Sequence, residues 1–489
     1  MKPRTEGLVD AIARKGLLIG GDRIPNPSGG TYAHHDPATG RQQAEVPLAG
    51  AAEVDLAVAA ASEAAPAWQA MAPEERARIL FRLADLLEAN GEEAAVLGAL
   101  ENGSPVSLMQ PGFYTAGWVR YYAGWVDKLE GSLVPPHGNT GLDCVRYEPY
   151  GVVGVIPPWN GPMMGMGQKA APALAAGNTV VAKPPEIAPF GAYRFAELAL
   201  EAGLPPGVLN VVAGGAEAGE ALVRHPGVGK VSFTGGRATA RQVIAASAAT
   251  VKPLCLELGG KSANLIFEDA DLDMVVPAAA FAGCLLLSGQ GCALPTRVYV
   301  QDSVYDEVVE RLVAVVERAV VGDPLDPATQ TGPVVTRQAK ERILGVIERS
   351  VAEGAGTLLT GGGAMDGELA GGYFVTPTVF GDVDHGSELA REEIFGPVLS
   401  VLRFGDEAEA VQKANDSELG LGAFVYTRDL ARAYRVATQL QAGFVVANAA
   451  PSMSPNAPFG GFKQSGYGRE GGRQGIEEYL RVKNILLGV

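Results

Sequence analysis

Residues 51–70, "AAEVDLAVAAASEAAPAWQA", space their apolar positions at a helical period, and "RARILFRLADLLEAN" at 76–90 does the same. Both patterns predict amphipathic surface helices. From about residue 150 the texture changes to short β-branched runs alternating with helical ones. "GVVGVIPP" reads as a strand, "MGQKAAPALAAG" as a helix, "NTVVAKPP" as a strand and "FGAYRFAELALEAG" as a helix. "GVLNVVAGG", "KVSFTGG" and "KPLCLELGG" continue the series, with a helix after each of the first two. Such alternation predicts a parallel sheet with helices packed on its faces. Ligands of these sheets bind beyond the carboxyl ends of the strands. Asn160, Lys183, Glu186, Gly235, Gly236 and Glu257 all fall at such ends. A second α/β pattern runs over 259–459. The segments "LDCVRYEPY" and "EEYLRVKNILLGV" fit neither half and read as extended arms for pairing with another subunit's sheet edge.

The chain has 489 residues, 47% hydrophobic and 19% charged, which implies two or more globular domains. A net charge of −16 argues against nucleic acid or an anionic membrane surface as a partner. It leaves an anionic cofactor open, because backbone N–H groups hold phosphate locally. Cys144, Cys255, Cys284 and Cys292 form no CxxC pattern, so reduced thiols in a cytoplasmic protein are expected. His34, His35, His137, His225 and His385 make no ligand pattern, and adjacent His34 and His35 beside "DPATG" predict a surface turn. No metal is expected. The N-terminal stretch has too short an apolar run for a signal peptide, and no run elsewhere is expected to cross a bilayer.

One segment poses a chemical question. "LLLSGQGCALPTR" sets Cys292 on a glycine-flanked bend between an apolar helical run and the strand "RVYVQ". A cysteine there is either a buried small apolar group or a thiol that a substrate reaches. "GGKS" resembles the end of a phosphate-binding P-loop, but Cys255 stands where that loop needs its first glycine.

Seven segments settle the context. "GVIPPWNGP" (154–162), "VVAKPPE" (180–186), "VSFTGG" (231–236), "LELGGKS" (256–262), "GQGC" (289–292), "EEIFGPV" (392–398) and "PFGGFKQSGYGRE" (458–470) occur in the order and spacing of the aldehyde dehydrogenase family. The resemblance covers nearly the whole chain. It implies an α/β fold: a Rossmann-like parallel-sheet NAD(P)-binding domain at 1–124 and 149–258, an α/β catalytic domain at 259–459, and a small β-arm at 125–148 and 475–489 for dimers or tetramers. It further implies oxidation of an aldehyde to a carboxylate. Cys292 is the nucleophile, its flanking glycines clearing the carbonyl's approach. Asn160 and the Cys292 N–H stabilise the oxyanion. Glu257 is the base for thioester hydrolysis, its pKa raised by desolvation. Taken alone, Asn160 also reads as a turn or helix cap, and Glu257 as a solvent-facing strand end. Ile156, Trp159, Lys183, Glu186, Gly235, Gly236, Leu258, Glu393 and Phe395 are the implied cofactor contacts: Trp159 at the adenosine and pyrophosphate site, Glu393 and Phe395 at the nicotinamide end. Glu186 would repel a 2′-phosphate, which favours NAD while leaving NADP open. A CoA-acylating semialdehyde dehydrogenase and a non-catalytic structural relative are the alternatives.

Three departures stand out. After "FTG" the chain has Gly236 and then Ala240 in place of the common serine and glycine. Some relatives carry a second glutamate after "GYGRE" that relays protons; by inspection Arg473 stands there. In "NGPMMGMGQK", Gly161 and Gly165 replace bulk, and Gln168 sits where an aromatic is frequent. With Met164 and Leu286 these predict a wide tunnel for bulky apolar or aromatic aldehydes, the alternative being that the glycines serve helix packing.

Overall fold

The β-branched runs after residue 150 pair as five parallel strands in the order Leu209–Val211, Thr179–Ala182, Val152–Ile156, Val228–Gly235, Leu254–Leu258. Four of them are buried along their whole length, which is why they read as continuous apolar runs rather than alternating ones. The chain order 3-2-1-4-5 reverses between Val152–Ile156 and Val228–Gly235, and that switch point opens a crevice at the carboxyl ends. This computed structural model describes residues 7–135, 141–450 and 452–488. His137 and part of the arm predicted at 125–148 lie outside the described residues.

Two antiparallel additions complete the first sheet. Leu17–Ile19 and Asp22–Ile24 extend one edge, and Gly466–Tyr467 pairs with Leu254–Leu258 at the other. The second sheet has seven strands, ordered Thr357–Thr360, Thr378–Gly381, Val398–Phe404, Arg297–Gln301, Ala263–Ile266, Gly422–Tyr426, Phe444–Ala447, all parallel but the first. Each sheet has its own core. One gathers apolar residues from Val9 to Leu258 with Ile476, Tyr479 and Leu480; the others lie between Ala263 and Val446.

The two early helices form as Ala51–Ala70 and Pro73–Ala89. "MGQKAAPALAAG" belongs to a longer helical run: an α-turn Pro162–Gly165, a π-helical turn Met166–Ala170 and an α-turn Ala171–Ala175.

The two arms pair with each other within one chain, Gly141–Pro149 against Leu480–Gly488, with Ser132–Val134 as the third strand. Two expectations are corrected. His34 lies in the strand Thr31–His35, not on a surface turn. It is buried, edge-on to Phe190, with Nε2 at 3.0 Å from the Ile187 carbonyl, and burial lowers its pKa to about 4. The stretch Leu272–Gly289 is long and apolar enough, by length and composition, to cross a bilayer. Here it changes helix type twice and packs on the second sheet.

Candidate active site

The helix Leu272–Ala280 runs into a π-helical turn, Phe281–Leu285, and a tight turn, Leu286–Gly289. Leu287 and Ser288 both sit at φ 53°, the left-handed region that side chains disfavour. Neighbours hold this bend. Ser288 Oγ donates to the Gly332 carbonyl at 2.7 Å, and Gln290 Oε1 accepts from the Val335 N–H at 2.9 Å. The glycines before Cys292 serve packing rather than access. A Cβ at Gly289 would lie 1.9 Å from the Gly396 carbonyl, and one at Gly291 would lie 2.7 Å from Leu294 Cγ. Cys292 follows, half-buried. Burial and the carboxylates of Glu393, Glu257 and Glu470 push its thiol up to about 12, so a proton acceptor or a cation must draw out the thiolate.

Asn160 extends from the strand Val152–Ile156 across to this loop, where its Nδ2 donates to the Gln290 carbonyl at 2.8 Å. It does not cap the helix that follows. An amide carries two hydrogens. One holds the loop, and the other has no partner among the described residues.

Glu257 is 3% exposed, and neither carboxylate oxygen has a hydrogen-bond partner. Burial, then Glu470, raises its pKa well above the usual carboxylate range, with Lys169 and Arg469 pulling the other way. It is not a solvent-facing strand end. Its charge also bears on the Cys292 thiol, and Asn160 reaches the carbonyl two residues before that thiol, so thiol, amide and carboxyl share one neighbourhood.

The second carboxylate is Glu470, inside "GYGRE", and not at position 473. Pairing of Glu257 with Gly466 in register brings the "GYGRE" segment alongside the base. Glu470 forms a buried ion pair with Lys169, whose Nζ also lies 3.3 Å from Ser232 Oγ. Arg473 points outward and pairs with Glu477 at 2.6 Å.

The remaining positions line the crevice at the switch point. Ile156 and Leu258 end buried strands. Lys183 Nζ donates to the Gly214 carbonyl at 2.7 Å, and burial lowers its pKa to about 8. Glu186 lies nearby, its Oε1 3.9 Å from a Cβ placed on Gly215. Gly235 ends its strand and Gly236 precedes the helix Arg237–Ser247, with open space around it. Ala240 is buried against that turn, its N–H on the Gly236 carbonyl at 3.0 Å. Glu393 rests on the "GG" of "ELGG": Oε1 accepts the Gly260 N–H at 3.1 Å, and a Cβ at Gly259 would lie 1.9 Å from Oε2. Burial pushes its pKa up to about 7. Trp159 packs edge-on against Phe395, ring centroids 5.4 Å apart. That places Trp159 beside Phe395. A helix N-terminus, open glycine backbone and two carboxylates at opposite ends suit a dinucleotide.

The tunnel residues divide. A Cβ at Gly161 would lie 2.5 Å from Met164 Cε, so the methionine methyl occupies the space the glycine vacates. Gly165 faces Pro157 and Pro158, with Cβ contacts at 3.0 and 2.9 Å, and serves backbone packing rather than the tunnel wall. Gln168 is tied to the Tyr114 phenol at 3.0 Å. Leu286 is half-buried at the start of the cysteine bend. A shallow cleft lies beside Asn160, Gly161 and Met164, walled by Gly98, Met109 and Pro111. Two positions whose charges bear on Glu257 escaped the sequence reading: Lys169 and Glu470. Lys169 had a signal, being the lone charge in "GPMMGMGQKAAPALAAG", since a charge in an apolar helix needs a partner.

A thiol, an amide and a desolvated carboxyl meeting beside a dinucleotide-type crevice define a thiol-dependent dehydrogenase site. The chain belongs to the aldehyde dehydrogenase family, whose model matches residues 24–485, and is an aldehyde-oxidising oxidoreductase. It is 43% identical over 484 residues to a phenylacetaldehyde dehydrogenase of Pseudomonas fluorescens, covering 96% of this chain and 95% of that one. PnpE of Pseudomonas sp. WBC-3, solved in complex with nicotinamide adenine dinucleotide, superposes with a TM-score of 0.95 at 41% identity, covering 97% of this chain and 98% of PnpE. The NAD+ complex of aldehyde dehydrogenase from Bacillus cereus matches with a TM-score of 0.95 at 39% identity, covering 100% and 99%.

Proposed function

We propose that this enzyme oxidises bulky apolar or aromatic aldehydes of the arylacetaldehyde type to carboxylates, with NAD as acceptor. The observation that carries the chemistry is the buried Glu257 carboxyl with both oxygens unpartnered, beside Cys292 and Asn160. The relative named for phenylacetaldehyde supports the substrate class.

Cys292 Sγ adds to the aldehyde carbon, giving a thiohemiacetal whose oxygen is held by Asn160 Nδ2 and the Cys292 N–H. The dinucleotide, when bound, supplies the ring that takes the hydride, and its positive charge favours the thiolate. Glu393 would hold the nicotinamide ribose, and Lys183 and Glu186 the adenosine ribose. The acyl group stays on sulfur as a thioester. Glu257 then takes a proton from water, and the resulting hydroxide displaces Sγ. Lys169 and Glu470, paired behind Glu257, carry that proton onward. A carboxylate at 257 supports release to water rather than to coenzyme A.

In this reading residues 1–124 and 149–258 bind the dinucleotide and 259–459 carry the thiol. Exposed Leu133, Val482, Leu486 and Leu487 on the three-stranded arm support homodimers or tetramers. The four unpaired cysteines support a cytoplasmic location. An aldehyde panel followed by NADH and NADPH formation tests the proposal. Phenylacetaldehyde should exceed acetaldehyde in kcat/KM, with NAD preferred. Better use of acetaldehyde, or acyl-CoA in place of free acid, would overturn it.

A further inference from the structure

Asn160 follows a strand of the first sheet and Cys292 precedes a strand of the second, so their spacing depends on what fixes the loops between the sheets. Pro157 and Pro158 carry no N–H. Among the described residues, neither Trp159 nor Asn160 makes a hydrogen bond between main-chain atoms. Side chains hold this stretch instead. Asn102 Nδ2 donates to the Trp159 carbonyl at 3.1 Å, and Asn160 Nδ2 donates to the Gln290 carbonyl at 2.8 Å. Asn102 ends the helix Gly91–Asn102 and is buried. Its Oδ1 accepts from Ser104 Oγ at 2.6 Å and from the Ser104 N–H at 3.2 Å, which turns the Nδ2 end to the Trp159 carbonyl. Asn102, Ser104, Trp159, Asn160, Leu287 and Gln290 line one small cleft. A common wall backs both ends of this row. A Cβ at Gly332 would lie 2.2 Å from the Gly103 carbonyl oxygen, so the turn after Asn102 rests directly on Gly332. The Gly332 carbonyl accepts from Ser288 Oγ, and the Val335 N–H donates to Gln290 Oε1. The segment that braces the cysteine bend thus also braces Asn102.

We infer that Asn102 is a positioning residue for the oxyanion donor. Through the Trp159 carbonyl it sets where Asn160 stands relative to Cys292, and Ser104 fixes the orientation of its amide. This rests on the reading of Asn160 as an oxyanion donor and deepens it. Without the bond from Asn102, the peptide joining Trp159 to Asn160 is free to rotate and takes the donor with it. An oxyanion donor works only where it is aimed in advance at the developing charge, and a misplacement of about 1 Å costs up to ~10²-fold in rate.

The test is a double-mutant cycle on kcat/KM, at saturating NAD, for the aldehyde used best in the panel above. Asn102→Leu keeps the size of the side chain and removes its hydrogen bonds. It should lower kcat/KM by about ten- to hundredfold in the wild-type background. In the Asn160→Ala background, where no donor is left to misplace, it should cost less than about twofold more. A merely structural role would cost the same in both. Ser104→Ala, which removes a single hydroxyl, should repeat the pattern at smaller amplitude. NAD binding by fluorescence titration checks the fold of each variant, and if Asn102→Leu fails that check, Ser104→Ala decides alone. Equal losses in the two backgrounds, or no loss in the wild-type one, would overturn the inference. A loss of only a few-fold from Asn160→Ala by itself would overturn the oxyanion reading, and the inference with it.

Discussion

Replacing Glu257 by glutamine changes almost nothing in shape and removes the group proposed above to accept a proton from water. Both oxygens of Glu257 are buried and unpartnered, so no hydrogen bond is broken by the exchange. Thioester formation draws on Cys292 and Asn160 and should proceed. Hydrolysis loses a general base, a contribution of about 10²–10⁴ in rate. Stopped-flow absorbance should show a burst of about one NADH per site followed by a nearly flat line. The wild-type kcat should climb as pH rises, since Glu257 must lose a proton that its surroundings retain, and Glu257→Gln should lack that limb. Stability gives a second reading with a fixed sign. The unfolded carboxyl gives up its proton near pH ~4.3 and the folded one only well above that. Wild type therefore loses stability as pH rises across this window, by about 1.4 kcal/mol for each pH unit crossed. Glutamine has no such slope, so the Tm of Glu257→Gln should overtake that of wild type, and the gap should widen toward alkaline pH. Steady-state turnover near the wild-type rate, absence of a burst, or a gap that narrows with pH would refute the reasoning.

Asn160→Ala should lower kcat/KM by about 10²–10³-fold at saturating NAD, the loss typical of one oxyanion donor; a change of only a few-fold would remove Asn160 from that role. Gly259→Ala puts a Cβ where the Glu393 carboxylate rests. Overpacking of about 1–3 kcal/mol predicts roughly tenfold weaker NAD binding by fluorescence titration. Lys169→Met leaves Glu470 buried without its cation. The denaturation midpoint should fall by the equivalent of about 3–5 kcal/mol, and an unchanged midpoint would show that the pair is not coupled to folding.

The path from sequence to site was short where chemistry and strand ends coincide. Asn160, Glu257 and Cys292 each carry a local signature, and parallel-sheet logic places the first two at one end of a sheet. Other positions depend on packing that no local pattern encodes. The place of Glu470 beside Glu257 follows from an antiparallel strand of two residues, Gly466–Tyr467, too short for any alternation to reveal. Arg473 took its role by inspection because spacing along a bend says nothing about which side chain turns inward. The packing of Trp159 on Phe395 joins residues more than two hundred positions apart in the chain. Gly165 and Gly289 looked like room for substrate, yet each is filled by neighbouring atoms. The arms read correctly as extended segments but not as partners of one another: their register, Leu480 on Pro149 through Gly488 on Gly141, joins distant stretches of the chain.

The short strand Gly466–Tyr467 has a consequence for biosynthesis. A nascent chain that has emerged only as far as Pro458 already holds Cys292, Asn160 and Glu257. It still lacks the edge strand, the anion for Lys169, and the Ile476, Tyr479 and Leu480 that fill the first core. Assembly of the site therefore waits for the segment after Pro458 to be made and to dock on the first sheet.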